Sequence, residues 1–98
     1  METQVLSIVA IITAAEGQEE FVKEEVLKLV PITRAEEGCL GYELHQDNKN
    51  SASFVFYENW TSAAALQAHL SNAHMQHFVK VTEGALAEFK VIELTKLV

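Results

Sequence analysis

The sequence predicts an α+β fold of ferredoxin-like order, βαββαβ, built on an antiparallel sheet. Three observations point to it. Two stretches, Val5–Ile12 and Ser53–Trp60, are nearly continuous in apolar and β-favouring residues. Segments between and after them repeat their apolar residues at helical spacing. A polar run, Asp47–Ser51, separates two strand-like stretches and reads as the turn of a hairpin.

The chain has 98 residues, and residues 1–98 are expected to form a single domain. Fourteen acidic residues against seven basic ones give a net charge of −7. The bases are scattered, which argues against nucleic acid and anionic membrane as partners. Cys39 is the only cysteine, so no internal disulfide can form. No apolar run approaches the roughly 20 residues of a membrane span. The opening METQVLS lacks the basic region that precedes the apolar core of a signal peptide, so a cytoplasmic location is expected.

The first strand, Val5–Ile12, should be covered on both faces. After a turn at Gly17, Glu19 and Glu20 open a helix expected over Gln18–Val30, because acids suit the positive end of the helix dipole. Val22, Val26, Leu29 and Val30 share its inner face. Pro31 should kink it or start a looser turn. Leu40–Gln46 alternates as a strand with two unlike faces, and Ser53–Trp60 pairs with it. The pairing register stays open, with Tyr42 opposite either Phe56 or Tyr57. Thr61 or Ser62 can cap the next helix, where Ala63, Leu66 and Leu70 form an apolar stripe and His69 lies off its edge. Asn72 can cap a third helix over Ala73–Glu83, with Met75, Phe78 and Val81 inward, His74 inside that arc and His77 at its margin. Ala87–Leu94 completes the sheet as a partly exposed edge. Helices can cover only one face of this sheet, so the other is expected to meet a second copy of the chain.

No phosphate loop, CxxC, HExxH or GxSxG is present. Four histidines remain as the main chemical feature. His74 and His77 are spaced i, i+3, with His69 on the preceding helix. No carboxylate shares that spacing, so a metal site is not expected; His74, which points inward, is the leading proton acceptor, and rim positions in a small core are the plainer alternative. Trp60 is read either as a core plug or as a flat wall for an aromatic ligand. Glu58 lies on the same strand face as Trp60, as an ordering ion-pair partner or as a pocket acid or base. His45 can reach a pocket mouth or stay solvated. Cys39 reads as a small buried residue beside a turn.

The blocks Arg34–Asp47 (RAEEGCLGYELHQD), Phe56–Trp60 (FYENW), Leu66–Leu70 (LQAHL) and His74–Phe78 (HMQHF) resemble the antibiotic biosynthesis monooxygenase family, most closely its small quinol-monooxygenase-type members. The resemblance spans nearly the whole chain. It implies a dimeric α+β barrel formed by sheet-to-sheet packing, with a pocket between sheet and helices. It also implies oxidation of a phenolic or quinol-like aromatic substrate by O2 without a cofactor. His74, Glu58 and His69 are then the candidate catalytic residues, and Trp60, His45, Phe78 and Phe56 the candidate substrate contacts. Haem-degrading relatives use an Asn in the first strand, and this chain has none there. Two alternatives stand beside the monooxygenase: a dimeric small-molecule binding or stress-response protein without turnover, and an isomerase of a small signalling metabolite.

Overall fold

The computed structural model describes residues 5–98. The first four residues of the METQVLS stretch lie outside it. Seven elements follow in order: β1 (Leu6–Ala14), α1 (Glu19–Arg34), β2 (Cys39–Asp47), β3 (Asn50–Trp60), α2 (Ala63–Ser71), α3 (Ala73–Val81) and β4 (Leu86–Leu94). The four strands form one antiparallel sheet in the order β2-β3-β1-β4. This is the ferredoxin-like arrangement, with the helical layer on one face. Among the described residues, no helix is long and apolar enough to cross a membrane.

Alternation along the strands decides what the helices cover. On β1, Ile8, Ala10, Ile12 and Ala14 are buried; on β3, Phe54, Phe56, Glu58 and Trp60 are buried. From α1, Val22, Val26 and Leu29 pack onto this face. The intervening residues Val9, Ile11 and Val55 are only half-buried, and Tyr57 is 41% exposed. Both central strands therefore carry apolar side chains on the flank away from the helices.

Three sequence expectations need correction. The first helix does not stop at Val30 with a looser turn restarting at Pro31, because α1 continues through Pro31 to Arg34. Pro31 lies on the exposed side, where the carbonyl deprived of an amide partner can turn to water. The hairpin register is neither of those expected: Tyr42 pairs with Glu58 and Leu44 with Phe56. A register shift at Gln46/Asp47 loops out part of Ser51–Ser53, and Gln46 Nε2 donates to the Ser51 carbonyl across it at 2.8 Å. Tyr42 thereby faces the helices beside Glu58. Finally, α2 buries Leu66 and His69, whereas Ala63 and Leu70 are exposed. A short helix of nearly uniform small apolar residues gives periodicity little to work with, and tertiary partners choose the face.

The caps fall as expected. The Ser62 side chain accepts from the Ala65 amide and Asn72 from the Met75 amide. Gly38 locks the helical layer to β2. Its φ is +88°, and a Cβ there would stand 2.6 Å from the Ala65 Cβ and 2.9 Å from the Thr61 hydroxyl. Its carbonyl accepts from the Thr61 amide at 2.9 Å.

Gly38→Ala should therefore combine backbone strain with a clash and lower the unfolding free energy by roughly 2–4 kcal/mol. Gly17→Ala, at φ +84° in open space, should cost about 1–2 kcal/mol from strain alone. Urea denaturation of both variants checks the difference.

Candidate functional site

The site assembles where α1 ends and α2 meets α3. Glu36 follows the last turn of α1, and its carboxylate is the meeting point. His69 Nδ1 lies 2.6 Å from Glu36 Oε2, and His74 Nε2 lies 3.1 Å from the same oxygen. Asn72 Nδ2 donates to Glu36 Oε1 at 2.8 Å, while Asn72 Oδ1 is occupied in capping α3. Asn72 Nδ2 and the Thr33 hydroxyl also approach His74 Nε2, at 3.3 and 3.5 Å.

A carboxylate only accepts, so the short contact to Glu36 places the proton of His69 on Nδ1. The opposite nitrogen, Nε2, is then an acceptor. His69 is 1% exposed and stacks on Trp60, with ring centroids 4.7 Å apart and planes at 31°. Tyr42 meets it edge-on at 5.8 Å. Burial pushes His69 below the ordinary imidazole range, against the opposing pull of Glu36.

His69 lines a cavity of about 20 Å³ between the sheet and α2–α3. That is room for about one water molecule. Its floor is Ile8, Ala10, Tyr42, Phe56 and Glu58; its other walls are Leu66, Leu70, Met75, Phe89 and Val91. Glu58 is 4% exposed, and Trp60 Nε1 donates to its Oε1 at 2.9 Å. Burial raises the Glu58 carboxyl to about 7; the Trp60 bond pulls the other way and the Glu36 charge adds to the rise. Burial likewise lifts the Tyr42 hydroxyl well above the phenol range, so it stays a neutral donor.

Of the residues singled out by sequence, Glu58, His69 and Phe56 come together at the cavity. Trp60 is fully buried behind it, where it holds Glu58 by hydrogen bond and His69 by stacking. His74, the leading proton acceptor by sequence, turns its Nε2 to Glu36 and lines a different hollow with Leu29, Ile32 and His77. Phe78 is buried and meets Phe89 edge-on at 6.2 Å. His45 is exposed and pairs with Val55 on the sheet face away from the helices.

Sequence reasoning missed Glu36, Tyr42 and Asn72. One signal was available for Glu36: an acid just beyond a helix C-terminus opposes the dipole and so asks for compensation. The donor atoms of Glu36, His69 and His74 all lie within 4.8 Å of one another. The carboxylate missing from the histidine spacing is thus supplied from 33 residues upstream of His69.

Comparison with known proteins adds context to this geometry. The sequence profile of a family described as antibiotic biosynthesis monooxygenase matches residues 5–90. The chain is 32% identical over 96 residues to the Escherichia coli protein YgiN, described as a probable quinol monooxygenase, covering 88% of this chain and 92% of YgiN. It is 31% identical over 80 residues to the sll1783 protein of Synechocystis sp., covering 82% of this chain and 54% of that one, so the chain spans about half of sll1783. Among solved structures, PA3566 from Pseudomonas aeruginosa superposes with a TM-score of 0.94 at 38% identity, covering 100% of this chain and 99% of PA3566.

The raised Glu58 pKa carries a stability consequence. An unfolded Glu titrates near 4.5 and the folded one at about 7, so the folded state holds the extra proton and loses stability as pH rises through that window. Glu58→Gln removes this loss. The variant should gain on the wild type from pH 4.5 upward, reaching about 3 kcal/mol above pH 7. Urea midpoints measured across pH 4–8 read the difference, and a pH-independent gap would remove the assignment.

Proposed function

The chain belongs to the antibiotic biosynthesis monooxygenase family, and from that premise we propose that it oxidises a quinol-like or phenolic aromatic compound with O2, using His69 as the base. One observation carries the reading. His69 has Nδ1 tied to a carboxylate, which leaves Nε2 an acceptor, and its ring lines a small cavity, the arrangement that makes an imidazole an oriented proton acceptor. A substrate hydroxyl donates its proton to Nε2, and Glu36 stabilises the imidazolium that results. The electron-rich phenolate then passes electrons to O2. One oxygen atom enters the ring and the other leaves as water, with the hydroquinone as its own reductant. These steps draw on side chains and substrate alone.

Glu58, on the cavity floor and poised at about 7, is suited to hold or return a proton at a second oxygen of the substrate. Tyr42 and Phe56, with ring centroids 4.8 Å apart, offer an aromatic floor. An aromatic guest needs more space than the cavity has, so it must displace its outer wall. Leu70 and Phe89, at 37% and 40% exposure, are the side chains placed to move. Glu58 and His69 line one small cavity, and an acid and a base so placed favour turnover over binding alone. A second reading draws on the size of the cavity: two titratable groups across a small space also suit proton transfer on a small polar metabolite, as in an isomerase.

The apolar patch of half-buried Val9, Ile11 and Val55 with exposed Tyr57 supports a dimer through the sheet face. Ser7 and Asn59, bonded at 2.7 Å, lie on the same face and contribute a polar rim.

The protein should accelerate O2 uptake by menadiol-type hydroquinones above autoxidation, and His69→Gln should lower kcat by about 100-fold or more. No gain across a quinol panel counts against the oxidase. Deuterium incorporation from D2O into a non-phenolic metabolite, without O2 uptake, would then favour the isomerase. Sedimentation at micromolar concentration should show a dimer, and Val55→Glu should shift it to monomer.

A further inference from the structure

We propose that Glu36, His69 and His74 form a binding site for a divalent first-row transition ion of the zinc type, and that its occupation disarms His69. Two imidazoles and one carboxylate from three separate segments bring their donor atoms within 4.8 Å of one another. This nitrogen-rich set suits zinc or cobalt over magnesium and calcium, which take oxygen ligands. Three protein donors also leave one position open for water, as in zinc sites that are not closed.

The supporting shell is in place. Asn72 holds Glu36 through Oε1, which leaves Oε2 between the two ring nitrogens. Trp60 fixes the plane of His69. Around zinc, ligand atoms in a tetrahedron stand about 3.3 Å apart. The 2.6 and 3.1 Å contacts therefore need to widen by less than about 1 Å, and the two ring nitrogens, within 4.8 Å of each other, need to settle at the same spacing, with coordination replacing the hydrogen bonds. The His74 and Glu36 side chains are 20% and 17% exposed, so the ion can arrive from the surface, while His69 at 2% closes the inner side. One carboxylate leaves the occupied site with a single net positive charge, in a chain of net charge −7.

The consequence for His69 follows from proton bookkeeping. A neutral imidazole carries one proton. When a metal takes the Nδ1 lone pair, that proton must sit on Nε2, the other nitrogen of a ring that lines the cavity. The group that accepted a proton there now donates one. This loss of base function, unlike the binding itself, rests on the oxidase reading of His69.

Metal-free protein titrated with Zn2+ by calorimetry should take up one ion per chain with micromolar or tighter affinity, and Co2+ should give the intense visible bands of a low-coordinate site. Glu36→Gln and His74→Ala should each weaken binding at least tenfold, with circular dichroism reporting that they fold. A His45→Asn/His77→Asn double variant should bind as the wild type does. Nitrogen-15 spectra of the His69 ring should move the proton from Nδ1 to Nε2 on zinc addition, whether or not the protein turns over quinols. Binding no tighter than millimolar, or binding lost only in the His45/His77 variant, overturns the site. Binding without the tautomer change overturns the disarming. Bound zinc with no quinol activity in the metal-free protein sinks the oxidase reading and leaves the site standing.

Discussion

The hydrogen-bonding demand of one carboxylate ties the end of α1 to α2 and α3. Glu36 sits beyond the C-terminal end of α1, where the dipole disfavours an anion, and it is mostly withdrawn from water. Such a group is tolerable only when donors surround it. His69, His74 and Asn72 supply them, from α2, from α3 and from the residue between the two. Helices of nine residues are marginal on their own. The same contacts that satisfy Glu36 therefore fix the position of both. Gly38, two residues on, lets the chain turn tightly enough to bring α2 within reach.

A second carboxylate, Glu58, has the opposite environment. It lies deeper, accepts one indole N–H from Trp60, and is pushed towards its neutral form by burial. Glu36 keeps three donors and some contact with solvent. His69 lies between these two acids, with Nδ1 on Glu36 and its free side on the cavity that Glu58 floors. A carboxyl raised by burial and an oriented imidazole on the same cavity are how a small domain can assemble both an acid and a base.

Much of this architecture is legible in the residues. Apolar continuity marks β1 and β3, the Asp47–Ser51 run marks the hairpin, and Ser62 and Asn72 mark two helix starts, because each signal is local. Register was not legible, since a bulge within Ser51–Ser53 changes pairing without changing composition. Of the site, Glu58 and His69 were visible as titratable groups in apolar surroundings. The rank order of the histidines was not. The helical wheel put His74 inside and His69 at an edge, whereas the fold buries His69 against Trp60 and gives it Glu36. Partners 33 residues apart in sequence leave no periodic trace.

The helical layer is narrower than the sheet. It covers β1 and β3 but leaves Phe89 and Val91 of β4 at 40% exposure, although both line the cavity. On the function proposed above, the groups that handle protons stand on β3 and α2, whereas the exposed side chains of β4, Phe89 and Val91, bound only the guest's outline. Mutational drift along β4 can resize the chamber without touching its acid–base pair. On that reading, a scaffold divided this way is free to change what it accepts while keeping how it reacts.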